Sequence, residues 1–257
     1  MIHDTAIIDP SAKLGESVEI GPYSVIGADV DIADGTRIAS HVVIKGPATI
    51  GRNNHIYPFA CLGEDPQDKK YTGEKESILQ IGDGNTIREY CTVNRGTGDG
   101  GGVTRIGNDN WIMAYVHIAH DCIVGDSNIF ANNTTLAGHV LIEDHVILGG
   151  FTGIHQFCRI GRHAFSAISS VIVKDVPPFI IVYGNTAKPS GLNREGLKRH
   201  GLSKSRIDYI QQAYKILYRQ NLLLSESLDK LETLIGESED IKHFLEFVRE
   251  SKRGIVR

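Results

Sequence analysis

IGNDNWIMAYVHIAHDCIVGDSNIFANNTTLAGHVLIEDHVILGGFTGIHQFCRI, residues Ile106 to Ile160, decides the fold. Within it Ile106, Ile112, Ile118, Val124, Phe130, Leu136, Ile142, Leu148, Ile154 and Ile160 stand six apart without a break. The series misses at Ser166, recovers at Ile172 and runs out near Val176. A spacing of six is neither the 3.6 of a helix nor the 2 of a strand. It marks a hexapeptide β-helix, in which each six-residue unit is one face of a coil. The fourth residue after each apolar one agrees with that phase: Asn110, Val116, Cys122, Asn128, Thr134, Val140, Val146, Thr152, Cys158 and Ala164 are all small or medium-sized, as a narrow interior requires. Three units make a three-sided coil, so residues 18 apart in the sequence stack in one column. Adjacent coils then pair like neighbouring strands, about 4.8 Å apart.

The same arithmetic places polar residues. His120, Gly138 and Gln156 share a column, and Asp121, His139 and Phe157 share the next. A base candidate, a carboxylate and a second imidazole are therefore expected on one edge. A glycine one coil on from His120 would expose its N–H and leave room for a ligand to approach the backbone.

Working outward, Ile8, Leu14, Ile20, Ile26, Ile32, Ile38, Ile44, Ile50, Ile56 and Leu62 carry the same period. Gly15, Gly21, Gly27 and Gly51 directly follow such residues, where a coil is expected to turn. The phase breaks between Leu62 and Ile81 and again at NRGTGDGGGVTR, Asn94 to Arg105. Both breaks read as polar loops leaving the solenoid, at 63–80 and 94–105, and long loops on a rigid scaffold are usually functional. Asp175-Val176-Pro177-Pro178 reads as a stop, because proline donates no N–H. From about Ala187 the pattern becomes helical. A short helix is expected within Gly191 to His200, and a longer one capped by Ser203 with Ile207, Ile210, Tyr214 and Leu217 on one face. Ser225 to Ile235 and Asp240 to Glu250 read as two more. The expected organisation is an all-β solenoid over 1–186 and an α-helical C-terminal domain over 187–257 that covers the last open coil edge.

The net charge of −4 is unevenly spread. Residues 1–185 carry 13 basic against 21 acidic side chains, residues 186–221 carry 8 against 2, and residues 222–257 carry 6 against 8. The basic middle segment suits a phosphate or an acidic partner, while the acidic balance argues against general nucleic-acid binding. MIHDTAIIDP has neither the basic nor the apolar region of a signal peptide. No apolar run of about 18 residues marks a membrane span. Cys91, Cys122 and Cys158 fall in the small inward slot, which reads as reduced core thiols of a cytoplasmic protein.

His120 can act as a base, with a neighbouring carboxylate fixing its tautomer. The plain alternative is a solvent-facing histidine on a turn. His117, His120, Asp121, His139 and His155 all map to adjacent coils, which favours a functional cluster. Zinc would need three or four converging ligands, and His117 ends one face while His120 lies on the next. Asp68 and Lys70 either reach a substrate or decorate a solvated loop. Lys198, Arg199 and His200 either solubilise a helix face or contact phosphate or an acidic protein.

HIAHDC (His117–Cys122), LAGHV (Leu136–Val140), HQFC (His155–Cys158), KDVPPF (Lys174–Phe179) and NREGLKR (Asn193–Arg199) together resemble the UDP-N-acetylglucosamine O-acyltransferase family, whose acyl-carrier-protein-dependent reaction opens lipid A synthesis. The resemblance covers essentially the whole chain. It implies a left-handed parallel β-helix and a homotrimer with active sites in clefts between subunits. It implies transfer of a (3R)-3-hydroxyacyl group from acyl carrier protein to the 3-hydroxyl of UDP-N-acetylglucosamine. No metal or cofactor is implied; the acyl group arrives on the carrier's phosphopantetheine arm. By the same resemblance His120 is the catalytic base, Asp121 orients it, and the Gly138 N–H stabilises the oxyanion. His117, His139, His155 and Gln156 line the nucleotide-sugar and acyl pocket, Asp68 and Lys70 are loop residues near the substrate, and Asn193, Glu195 and Arg199 contact the nucleotide or the pantetheine arm. Ile168 stands at the acyl-length gauge, where a glycine accompanies long chains. A bulky residue there implies a shorter acyl group, about ten to twelve carbons, because closed pockets reject extra methylenes. Two competing readings of the scaffold are a metallo-hydratase and a non-catalytic solenoid. The polar loops and clustered histidines count against the second.

Overall fold

The computed structural model describes residues 1–73, 77–234, 236 and 238–257. Among them the strands form three sheets of nine, eight and ten members, the three faces of one prism. Neighbouring coils pair in parallel at a register of 18: His117 with Thr135, Ile123 with Leu141, Ile129 with Ile147. The six-residue units contribute strands of two to four residues; from Ile20 onward their apolar residues are buried inside, while Ile8 and Leu14 of the first coil are half-buried. The small slot is filled as well. Asn54, Asn85, Asn110 and Asn128 stack there and pass hydrogen bonds up the interior: the Asn85 N–H donates to Asn54 Oδ1 at 2.9 Å, Asn110 to Asn85 at 2.9 Å, and Asn128 to Asn110 at 2.9 Å. Each side-chain oxygen in this stack accepts a backbone N–H of the next coil, Asn128 Oδ1 taking that of Val146 at 2.7 Å, where an unpaired acceptor would be costly; the Asn128 Nδ2 is left without a partner among the described residues.

The turn is made differently from the sequence expectation. The glycines after the apolar residues are not the turning residues. A Cβ on Gly21 would lie 2.7 Å from the Ala39 carbonyl carbon, so close approach of the next coil demands glycine there. The left-handed φ falls two positions later, at Ser17, Tyr23 and Asp29 and, in the later coils, at Tyr115, Asp121, Ser127, Asn133, His139 and His145. Asn, Asp and His tolerate that conformation better than branched residues.

The two excursions are narrower than 63–80 and 94–105. Cys61–Glu64 and Ile78–Ile81 remain strands, as do Thr92–Asn94 and Val103–Ile106. Ile56 pairs with Ile87 and Ile87 with Ile112, offsets of 31 and 25, so the insertions amount to 13 and 7 residues beyond one coil. Leu79 and Ile81 keep strand pairing because both point into the core.

Past the prolines the winding adds one more strand, Ile180–Tyr183, parallel to Phe165–Ser166. The segment Lys188–Leu192, expected to be helical, turns back antiparallel on it. Pro189 and Gly191 are poor helix formers, and this hairpin covers the exposed sheet edge. Helices α1 (Arg194–Arg199), α2 (Lys204–Arg219), α3 (Leu224–Leu234) and α4 (Glu239–Arg249) follow. Ser203 caps α2, and Ile207, Ile210, Tyr214 and Leu217 are buried as their spacing requires. Ile235, expected to end α3, lies outside the described residues. The chain end returns to the solenoid: Val256 N–H donates to the Asp175 carbonyl at 2.9 Å, and the Ser251 hydroxyl to the Asp175 carboxylate at 2.7 Å.

Candidate active site

His120 and Asp121 occupy the corner between the nine-strand and eight-strand sheets, between strands His117–Ile118 and Ile123–Val124. Asp121 is the left-handed residue of that corner, with φ of 60°. His120 Nδ1 lies 2.7 Å from Asp121 Oδ2. An ionised carboxylate only accepts hydrogen bonds, so Nδ1 carries the proton and Nε2 is left as the free base. The Asp121 side chain is only 1% exposed. Burying that charge demands donors, and Thr97 supplies two: its N–H to Oδ1 at 2.9 Å and its hydroxyl to Oδ2 at 2.7 Å. His139 stands one coil on, with Nε2 3.7 Å from the same Oδ2 and its ring edge-on to His120.

Gly138 is where the columns place it, and its role in packing is sharper than expected. A Cβ there would fall 2.7 Å from His120 Cε1 and 2.8 Å from Nε2. The missing side chain makes room for the imidazole itself. The Gly138 N–H has no acceptor among the described residues, while its carbonyl accepts from Phe157.

A cleft of about 870 Å3 opens in front of this corner. It brings together Asp68, Lys70, Thr97, His120, His139 and Gln156. Asp68 caps its own turn, accepting from the Lys70 N–H at 2.9 Å. His117 lies on the neighbouring strand with Nδ1 2.7 Å from the Thr92 hydroxyl; burial, and then the nearby His120, push it below the ordinary histidine range. His155 is exposed, and its ring Nδ1 lies 3.2 Å from the Gln156 carbonyl.

The remaining residues implied by the resemblance stand on other edges of the prism. Ile168 is 69% exposed on the corner between the ten-strand and nine-strand sheets. Asn193 caps α1 and donates to the His163 carbonyl at 2.9 Å, on the third corner. Glu195 pairs with Lys198 at 2.7 Å, and Arg199 is exposed nearby.

Two alternative chemistries can be weighed on this geometry. Burial pushes the Cys122 thiol up to about 12, so it is no nucleophile. Ligand atoms of His120, Asp121 and His139 lie within 4.8 Å of one another, a spacing a cation could exploit. Both Asp121 oxygens, however, already accept hydrogen bonds, three in all. Oδ2, the oxygen that approaches both imidazoles, takes two of these bonds, so a cation bound there would have to displace the Thr97 hydroxyl or His120.

Sequence reasoning missed Thr97 and Gly100. Both lie in the second insertion, which has no period to place them. The one signal was the choice of glycine: a Cβ on Gly100 would run into the Asp121 carboxylate.

Residues 175–256 match the second domain of UDP N-acetylglucosamine O-acyltransferase, and residues 11–46 and 104–138 match the bacterial transferase hexapeptide. The acyl-[acyl-carrier-protein]–UDP-N-acetylglucosamine O-acyltransferase of Thiobacillus denitrificans is 54% identical over 256 residues, covering 100% of this chain and 99% of the relative. The chain belongs to the UDP-N-acetylglucosamine O-acyltransferase family. The acyltransferase of Xylella fastidiosa bearing the same name is 52% identical over 100% of this chain and 98% of its own. Among solved UDP-N-acetylglucosamine acyltransferases, that of Francisella novicida superposes with a TM-score of 0.98 at 43% identity, covering 100% of this chain and 94% of its own. That of Moraxella catarrhalis gives 0.97 at 48% identity, over 100% and 99%. Agreement of whole coils with these acyltransferases carries the hand of the winding, which is left-handed. That hand runs against the usual crossover rule and could not be taken from the spacing.

Proposed function

We propose that this protein transfers a (3R)-3-hydroxyacyl group from acyl carrier protein to the 3-hydroxyl of UDP-N-acetylglucosamine, the first step of lipid A synthesis, in the cytoplasm. The observation that carries the reading is the His120–Asp121 pair at 2.7 Å, its carboxylate buried and its imidazole half-buried, with a free Nε2 beside Gly138 at the wall of a cleft of about 870 Å3. Nε2 takes the proton of the sugar hydroxyl as its oxygen attacks the thioester carbonyl. Asp121 stabilises the imidazolium that forms. The Gly138 N–H, without an acceptor among the described residues, is available to the oxyanion, a donor worth several kcal/mol in such sites. Collapse expels the pantetheine thiolate, which recovers the proton from the imidazolium. No metal or cofactor enters these steps. Among the described residues no helix is long and apolar enough to cross a membrane.

The homotrimer is part of the same proposal. A single copy keeps His120, Ile168 and Asn193 on three different corners of the prism. Packing one edge of each copy against a different edge of the next is how a second subunit can complete the cleft. The corner that carries Ile168 also carries Tyr23, His41, Phe59, Tyr90 and Tyr115, stacked 4.9–5.2 Å apart and exposed. An apolar ridge of this kind supports a buried contact.

The test is mass spectrometry of the products formed from UDP-N-acetylglucosamine and a panel of acylated carriers, alongside His120→Ala. The expected outcome is an O-acylated sugar nucleotide, reduced at least about 10³-fold in the folded variant. Near-normal turnover by that variant would remove His120 from the chemistry.

A further inference from the structure

Asp121 sits between two imidazoles. Its Oδ2 is 2.7 Å from His120 Nδ1 and 3.7 Å from His139 Nε2. Nothing in the His–Asp pair alone determines which ring the carboxylate serves. The second insertion supplies the missing constraint. Thr97 grips both carboxylate oxygens, one with its N–H and one with its hydroxyl. The same hydroxyl accepts the Gly100 N–H at 3.2 Å, closing a short 3₁₀ turn over Gly98–Gly100. Gly100 leaves the space that the carboxylate fills. From beneath, the Asp121 N–H donates to the Thr104 hydroxyl at 2.8 Å, which fixes its backbone. Thr97 itself is 8% exposed, so its two donors face little competition from water.

We infer that Thr97 is a positioning residue for the reaction: its paired donors hold the Asp121 carboxylate in the rotamer that aims Oδ2 at His120 and away from His139. The second insertion, read from the sequence as a polar loop leaving the solenoid, is thereby a clamp on the catalytic pair. Two grips on one carboxylate fix its rotation about the Cβ–Cγ bond, which one grip cannot do. Both Thr97 donors are spent on the carboxylate, so its part in the reaction runs through Asp121. The inference rests on the assignment of His120 as base.

The experiment compares Thr97→Val, Thr97→Ser and Gly100→Ala with the unaltered protein and with His120→Ala, on purified full-length chains with matched thermal melts. Valine keeps the shape and the N–H but removes the hydroxyl donor. Thr97→Val is expected to lower kcat by roughly 10–100-fold with KM for UDP-N-acetylglucosamine changed less than about threefold, because misorientation of a catalytic group is felt in the transition state. Thr97→Ser restores kcat to within about threefold. Gly100→Ala, whose Cβ would displace the carboxylate, reproduces the kcat loss. The acid limb of the pH–kcat/KM profile in Thr97→Val moves to lower pH, since an imidazolium that loses its carboxylate partner gives up its proton more easily. A purely structural role would reduce the active fraction without moving that limb. Thr97→Val with unaltered kcat, an unmoved limb, or a loss that serine does not rescue would each overturn the inference. If His120→Ala is inactive while Thr97→Val is normal, only the clamp fails; if His120→Ala remains active, the base assignment fails with it.

Discussion

Replacing Gly138 with alanine tests the packing of the base with the smallest possible change. No left-handed φ is involved at this position, so alanine strains no backbone there. The added methyl would sit 2.7 Å from His120 Cε1 and 2.8 Å from Nε2. Ordinary contact begins at about 3.4 Å, so the ring must retreat by roughly 0.6–0.7 Å. It cannot slide freely, because Nδ1 is bonded to a carboxylate that Thr97 and the backbone hold. A displacement near 1 Å of a catalytic group costs on the order of 10²-fold in rate, or about 2.7 kcal/mol of barrier. The Gly138 N–H survives the change, so any oxyanion contribution is left in place. The assay is the initial rate of carrier thiol release from an acylated carrier with UDP-N-acetylglucosamine, over a range of both substrates. The expected result is kcat reduced about 10²-fold with substrate KM values within a few-fold. A Gly138→Ala protein that retains kcat within about threefold would show that the imidazole does not need the space the glycine leaves.

Other consequences can be checked separately. Ile168→Gly is expected to shift the preferred donor from about ten to twelve carbons toward longer chains, by about 1–3 kcal/mol of relative kcat/KM per methylene accommodated; an unchanged ranking across the carrier panel would detach Ile168 from the acyl channel. Burial first, and then the positive charges of His145, His200 and Arg162, press His163 down to about 4, below its unfolded value of 6.5. Between those limits the unfolded chain binds the extra proton, so this group's contribution is intact above about pH 6.5 and is lost as the pH falls toward 4. Thermal melts from pH 7 to 4.5 are expected to fall less steeply for His163→Gln than for the unaltered protein, and parallel curves would count against it.

The legible part of the active site was the part that lies within regular coils. Because adjacent coils pair at an offset of 18, the column of His120 had to carry Gly138, and Asp121 had to stand beside His139. The illegible part lies in the insertions and at the chain's closing edge. Thr97 and Gly100 belong to a segment outside the period, and their meeting with Asp121 depends on how that segment folds back. Lys188–Leu192 lies where the helical pattern is expected to start but serves as the final strand, because Pro189 and Gly191 disfavour a helix and the open sheet edge beside it offers hydrogen bonds.

By itself the sequence determined the three-sided coil, its phase, its inward residues and the convergence of two histidines, an aspartate and a glycine. All of these follow from a repeat in which each residue's position is set by counting. Only the tertiary structure decided which donors hold Asp121, which nitrogen of His120 is free, and that Gly138 is small to admit a ring. Those depend on side-chain packing between segments whose separation in sequence carries no period.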